Sequence, residues 1–291
     1  MFTRSALFAG FALLASATLC RADLQEILVG ITNATRAGRI EQALDLANRG
    51  VQLYPQSDLV YFMRAQIYEH RRLFDHAIKD YTQVLALKSS YFRALQRRGE
   101  CHFKAGQFKE SIADFDKYIL AEPRSENEHW QRGISCYYAG EYAKGVRQFE
   151  LRKESSPDDA ENAIWHYVCN YRALGAERAK RAMVLPREDG RLWAAAAFDL
   201  FRGLRTPKEV LAIAVQGETN DDLKNDNLFH AHFYIALHHD LLGDTEKARE
   251  HLTIAVEQYP RKHYMADVAR VHLEVIRKRI AEEKAKGEKK K

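Results

Sequence analysis

Residues 58–91 read DLVYFMRAQIYEHRRLFDHAIKDYTQVLALKSSY, and the 34 residues that follow, FRALQRRGECHFKAGQFKESIADFDKYILAEPRS, carry the same pattern. Laid one over the other, Ala65 falls on Gly99 and, one period later, on Gly133, while Phe74 falls on Phe108 and Tyr142. Working outward, Ala43, Ala77, Ser111 and Gly145 form a second small-residue column, each twelve positions before Pro55, Ser89, Pro123 and Pro157. Three columns thus share one period. Small residues are needed where paired helices cross closely, because a larger side chain has no room there. With 6 Pro and 15 Gly in 291 residues and few β-branched runs, each unit reads as two helices, and the chain as all-α.

The register places units at 24–57, 58–91, 92–125 and 126–159, the first of them degenerate, with Ala47 where an aromatic is expected. Ser125-Glu126-Asn127-Glu128 is read as a capping box opening the fourth unit. Residues 160–228 break the period but still read as helices, over Ala160–Leu174, Ala176–Val184, Leu192–Arg202 and Pro207–Val215, with loops at Pro186–Gly190 and Gly217–Asp222. Thr206-Pro207-Lys208-Glu209 combines an N-cap, a proline at the first helical position and a capping-box Glu. The period returns at 229–262 in Ala236, Gly243-Asp244, Ala248, Leu252, Ala255 and Pro260. Beyond it, Tyr264–Glu282 sets Met265, Val268, Leu273 and Ile276 on one stripe, as suits a helix closing the end of a repeat array. Residues 263–291 are therefore expected to be a capping helix with a basic tail.

This pattern resembles the tetratricopeptide repeat, a 34-residue helix-turn-helix unit. The resemblance implies an all-α superhelix, or α-solenoid, of four repeats over residues 23–159, an irregular helical segment, a final repeat and a capping helix. A narrower resemblance, to the NlpI-like group of bacterial cell-envelope proteins, rests on Ile164-Trp165-His166-Tyr167, Trp193, Phe198, Gly203, Phe233-Tyr234, Leu242-Gly243-Asp244 and Ala248. It implies a non-catalytic, often dimeric adaptor that binds cell-wall hydrolases and helps present substrates to a protease.

Repeats of this type line a concave groove with the first helix of each unit, and that implies a set of partner-facing residues. They are Phe62, Gln66 and His70, with Leu59 and Glu69, in the second unit; Arg93, Gln96, Phe103 and Lys104, with Glu100, in the third; and Trp130, Tyr137 and Tyr138, with Asn127 and Ile134, in the fourth. Aromatics among Arg, Lys and Gln are the composition of a peptide-binding surface. The Lys and Asn with which part of the family grips a C-terminal carboxylate are replaced by Phe62 and Gln66, Gln96 and Glu100, Trp130 and Ile134. The competing reading is that Trp130 and Tyr138 pack against neighbouring helices.

Met1–Ala22 reads as a secretory signal peptide, with Arg4 before the apolar run Ser5–Leu19 and small residues before Asp23. The expectation is an exported protein, periplasmic or secreted, that touches a membrane only if Cys20 is lipidated as an outer-membrane lipoprotein; Leu19 ahead of Cys20 departs from that pattern. Cys101, Cys136 and Cys169 remain, read as buried thiols or a stray disulfide. Formal charge is +5, and Arg277–Lys291 alone holds eight basic and three acidic residues, which leaves a near-neutral body. Nucleic acid is accordingly not an expected partner; other proteins, peptides or a second copy are. No cofactor is expected. His230, His232, His238 and His239 lack the i, i+4 spacing of helical zinc ligands, so no metal is expected either. The alternative function is a hydrolase in the 160–228 segment, which would require Glu188, Asp189 and a histidine to converge.

Overall fold

The computed structural model describes residues 23–288; the expected signal peptide, Cys20 and the final lysines 289–291 lie outside them. Among the described residues every regular element is helical and there is no strand. The chain divides into two compact units, one ending at Ala105 and the other beginning at Gly106, within the third repeat.

In the first unit, α1 (residues 23–36), α2 (Ile40–Leu53), α3 (Asp58–His70), α4 (Phe74–Leu87) and α5 (Phe92–Lys104) alternate as paired helices. The small-residue columns lie where the pairs touch: Ala43, Ala65 and Ala77 are fully buried. A Cβ on Gly50 would stand 2.7 Å from Val60 Cγ1. Tyr81 and Phe62 pack edge to face at 5.5 Å in the same core. Arg64 braces the layers, bonding both carboxylate oxygens of Asp80 at 2.8 Å and Asn48 Oδ1 at 3.0 Å. Its equivalent two periods later, Arg132 in the second unit, reaches Asp116 at 2.6 Å and Gln148 at 3.2 Å. Such forked, charge-assisted bonds fix orientation as well as proximity.

The second unit holds α6 (Phe108–Ala121), α7 (Trp130–Tyr138), α8 (Tyr142–Ser155), α9 (Ala160–Leu174), α10 (Ala176–Arg181), α11 (Leu192–Arg202), α12 (Pro207–Ala214), α13 (Asp221–Leu241), α14 (Thr245–Thr253) and α15 (Tyr264–Glu288). α9 and α11 fall where the sequence places them, and α12 opens with the expected reciprocal box: Thr206 Oγ1 accepts from Glu209 N at 3.3 Å, and Glu209 Oε2 accepts from Thr206 N at 2.7 Å. Ser125 caps nothing. Pro123–Glu128 is a 3-10 turn, Ser125 Oγ turns back to Glu122 O at 2.7 Å, and α7 starts only at Trp130. Pro123 supplies the φ that winds this turn, which consumes the residues read as a capping box. α13 likewise starts inside an expected loop, because Asn220 accepts from the amides of Asp222 and Leu223 at 2.9 and 3.1 Å and caps a helix there. The stripe of α15 is inward as expected, with Val268, Leu273 and Ile276 buried. All three described cysteines are buried free thiols.

A further column of the period governs the turn inside each pair. Gly38, Arg72, Gly106 and Gly140 are 34 apart and all have positive φ, at 70, 59, 76 and 77°. Glycine takes that region without cost, whereas Arg72 is held there against the steric preference of a Cβ. At the crossing of α7 and α8, a Cβ on Gly133 would sit 2.6 Å from Phe149 Cζ. Gly133→Leu is expected to destabilise the fold by about 1–3 kcal/mol through overpacking, measured as the shift of the urea midpoint at constant slope.

Candidate peptide-binding surfaces

The expected groove residues divide between the two units, and each set is shaped by what its own unit lays over it. In the first unit Phe62 is core: only 5% exposed, against Tyr81 and 4.9 Å from Tyr91, with the Arg93 guanidinium 5.6 Å above its ring. Phe103 is fully buried. Both were expected to face a partner, and both are instead buried, Phe62 beneath the Arg93 guanidinium. Polar chains make the surface. His70 and Arg93 are exposed, Leu59 is 44% exposed, and Gln66 and Gln96 are half-buried beside them.

Beneath this surface lies a charge network. Glu69 accepts from Arg97 at 2.7 Å, from Lys104 Nζ at 2.8 Å and from the Tyr81 hydroxyl at 3.2 Å. Glu100 accepts from Arg97 at 2.9 Å and from Gln96 at 2.9 Å. Burial pushes the Glu100 carboxyl above its ordinary value in spite of Arg97 and Lys104, and burial likewise pushes the Tyr81 hydroxyl and the Cys101 thiol up. Lys104, with its side chain 8% exposed, is thus a structural cation that holds α5 to α3, not an open peptide contact.

In the second unit the expected aromatic wall is covered from within by α9 and α15. Tyr137 is 6% exposed, edge-on to Trp165 at 5.5 Å, and its hydroxyl accepts from Arg172 Nε at 3.5 Å. Tyr138 packs on Phe108 at 5.3 Å and shares a 2.9 Å hydrogen bond with His272 Nδ1 of α15. Tyr137 is a core residue, and Tyr138, half-buried, packs against neighbouring helices as the competing reading had it. The same layer contains Asp240, buried, bonded by Arg172 at 2.8 Å and by Arg279, and 3.6 Å from His272 Nε2. Burial first, then the two arginines, hold the His272 pKa at about 4 although Asp240 pulls it up.

Trp130 differs from its two neighbours. Half-buried and edge-on to Tyr264 at 5.3 Å, it stands at the mouth of a pocket of about 210 Å3 lined also by Phe149, Arg152, Asp159, Glu161, Asn162, Trp165, Arg191 and Met265. The N-terminus of α9 builds its floor: Asp159 caps the helix, accepting from Glu161 N at 3.1 Å and Asn162 N at 3.3 Å. Glu161 takes a 2.6 Å bond from the Tyr234 hydroxyl and an ion pair from Arg191. Asn162 Nδ2 donates to Phe149 O at 2.9 Å, while its buried Oδ1 accepts nothing. Of these residues only Trp130 was singled out for partner contact from the sequence. The rest come from four separated stretches, and the available signal was the Pro157-Asp158-Asp159 turn before an apolar helix.

Asp189, half of the expected hydrolase pair, is a scaffold residue. Its carboxylate accepts from Ala160 N at 2.9 Å and from Arg191 Nη2 at 2.7 Å. Burial alone would raise its pKa, but these bonds outweigh burial and hold it below the ordinary value, the opposite of what a proton acceptor near neutral pH needs. The histidines of α13 disperse. His232 Nδ1 meets His251 Nδ1 at 2.9 Å, and His238 packs edge-on to Phe201. His230 stacks between Trp193 at 4.4 Å and His263 at 5.0 Å. Asp226, His230 and His263 bring possible ligand atoms within 4.8 Å of one another. Arg261 Nε lies 3.2 Å from the same Asp226 carboxylate, so a guanidinium already supplies the positive charge there.

Residues 31–90 and 62–127 match a tetratricopeptide repeat family, and residues 230–261 match a second tetratricopeptide repeat family. Tetratricopeptide repeats thus account for residues 31–127 and 230–261. The fold of the chain is similar to that of a tetratricopeptide repeat protein from Parabacteroides merdae ATCC 43184, at 13% identity and a TM-score of 0.54, over 87% of this chain and 98% of that one. It is also similar to MamA, at 13% identity and a TM-score of 0.51, over 54% of this chain and 86% of that one. At these identities the likeness concerns architecture alone.

Proposed function

We propose that this repeat protein is a non-catalytic adaptor of the bacterial envelope that binds segments of partner proteins, cell-wall hydrolases or a protease among them, along the first-helix faces of its repeats. The observation that carries the reading is the face of the first unit. Beneath it Glu69, Arg97 and Lys104 tie α3 to α5, and Leu59, His70 and Arg93 stand accessible above them. A face whose helices are already fixed loses little entropy on binding, which is what lets a modest surface hold a peptide. The hydrolase alternative loses its support in the commitment of Asp189 to Arg191 and to the start of α9.

Replacing Leu59 and Arg93 together with Glu is expected to reduce capture of partner proteins from envelope extract at least tenfold while leaving the helical circular dichroism spectrum unchanged. Leu120→Glu, at an 82% exposed site of α6, is the control that should capture normally. Equal capture by both variants rejects the proposed face.

The envelope assignment rests on Met1–Ala22 and on the NlpI-like stretches of α9, α11 and α13. The mature protein is proposed to begin at Asp23 without acyl chains and to act in the periplasm or outside the cell, as a monomer or a homodimer. Intact-mass spectrometry of protein from its own host tests this: a diacylglyceryl adduct on Cys20 would place it on the outer membrane instead, and retention of residues 1–22 in the cytoplasm would remove the envelope reading.

A further inference from the structure

The pocket beside Trp130 is balanced in charge. Asp159 and Glu161 are the carboxylates of its lining, and two lining guanidiniums answer them: Arg152 pairs with Asp159 at 3.3 Å, and Arg191 pairs with Asp159 at 3.1 Å and with Glu161. Both arginines also reach an acid outside the lining, Glu128 at 2.6 Å and Asp189 at 2.7 Å, and Asp159 is engaged again by two amides of α9. A charged side chain entering here would give up its water and find every opposite charge already paired, which is a net cost.

Asn162 aside, the rest of the lining is apolar: Trp130, Phe149, Trp165 and Met265. Phe149 and Trp165 belong to the core, whereas Trp130 and Met265 are only half-buried, and large apolar side chains left partly in water gain by being covered. Size decides what can cover them. Sites for whole small molecules run to about 300–1,000 Å3, and the volume here, about 210 Å3, is that of one large side chain. Place decides whose side chain it is. Trp130 opens α7, the first helix of the fourth repeat, so the pocket lies on the kind of face proposed above to hold partner segments.

Taking the adaptor reading as its basis, we infer that this pocket is an anchor site that receives one large apolar side chain of the bound segment, a phenylalanine, leucine or methionine. That side chain packs among Trp130, Phe149, Trp165 and Met265, as interface anchors fill pockets elsewhere. The self-paired ions of the lining supply the selectivity: they offer a lysine or a glutamate nothing in exchange for its hydration, so both are rejected.

The test titrates the whole mature chain, labelled with nitrogen-15 at tryptophan, with the N-acetyl amides of phenylalanine, leucine, lysine and glutamate. The three tryptophans give three indole N–H signals; Trp130 and Trp165 line the pocket, while Trp193 is stacked on His230 away from it. The phenylalanine and leucine amides are expected to shift the Trp130 and Trp165 signals, leave Trp193 in place, and bind at least about tenfold tighter than the lysine and glutamate amides. An acetylated, amidated Gly-Ser hexapeptide carrying one phenylalanine should shift the same two signals. Trp130→Ala, which also assigns its own signal, should weaken the phenylalanine amide at least fivefold. The order of the four amides on the unaltered chain decides the matter even if the variant fails to fold. Equal binding of all four, no shift from any of them, shifts confined to Trp193, binding of the amide without the hexapeptide, or full affinity retained in folded Trp130→Ala each overturns the anchor assignment. The adaptor reading itself is judged by capture with the Leu59 and Arg93 variant, so the two can fail independently.

Discussion

Acidification from pH 7 to pH 4.5 is expected to destabilise the second unit by several kcal/mol. His129, His232, His238 and His272 are each held at a pKa of about 4, mainly by burial. Their value in an unfolded chain is about 6.5. The unfolded chain therefore takes up protons first: the stability these groups contribute is complete above the unfolded pKa and falls steadily as pH drops from about 6.5 towards 4. For His272, which is 1% exposed, the difference corresponds to about 3 kcal/mol, at 1.36 kcal/mol per unit. Burial depresses His166, His230, His239 and His251 in the same direction. In the first unit the raised Glu100 works the other way, since its neutral form is favoured in the fold. Thermal unfolding followed at pH 7.5, 6 and 5 should show a falling midpoint. His272→Gln, which can still bond the Tyr138 hydroxyl, should lessen the slope by up to about 1.4 kcal/mol per pH unit. A midpoint that does not change between pH 7.5 and 5 contradicts the buried neutral histidines.

Trp165→Ala should cost about 3–5 kcal/mol. The ring is 2% exposed and is the meeting point of the unit: stacked on Phe149 at 6.4 Å, edge-on to Tyr137 at 5.5 Å, and 6.3 Å from Phe233 of α13. Removing it leaves a cavity bounded by α7, α8, α9 and α13, which rigid helices cannot close. Trp130→Ala, at the first residue of α7 and edge-on to Tyr264, should cost about 1 kcal/mol. Urea denaturation of both variants measures the contrast. A loss of under 1 kcal/mol for Trp165→Ala would show that the aromatic cluster is not the unit's keystone.

The distinction between these two tryptophans marks the limit of what was legible in the sequence. A period identifies equivalent positions, and it placed Ala65, Ala77, Gly133 and Ser111 correctly at helix crossings, because crossing geometry recurs in every unit. The boundaries of α9 and α11, in the segment that breaks the period, follow local signals instead: Asp159 caps the start of α9 and a left-handed Gly203 stops α11. What covers a position does not recur. Tyr137 and Tyr138 lie at groove positions of the fourth repeat, but α15, more than a hundred residues later, folds over them through His272. Phe62 sinks for a nearer reason: Arg93 is long enough to fold back over its ring, while Arg97 and Lys104 fold onto Glu69. The pocket was invisible for the same cause, since Glu161, Arg191 and Met265 are brought to Trp130 only by the irregular segment and the capping helix.

The central claim, that first-helix faces hold partner proteins, is tested most directly by site-specific photo-crosslinking in the living host. A photoreactive phenylalanine analogue at His70 or Arg93, both exposed on the proposed face, should yield discrete covalent adducts with partner polypeptides. The same analogue at Lys79, exposed on the second helix of the repeat, should yield none. Adducts of equal strength from Lys79, or none from His70 and Arg93, would contradict the account.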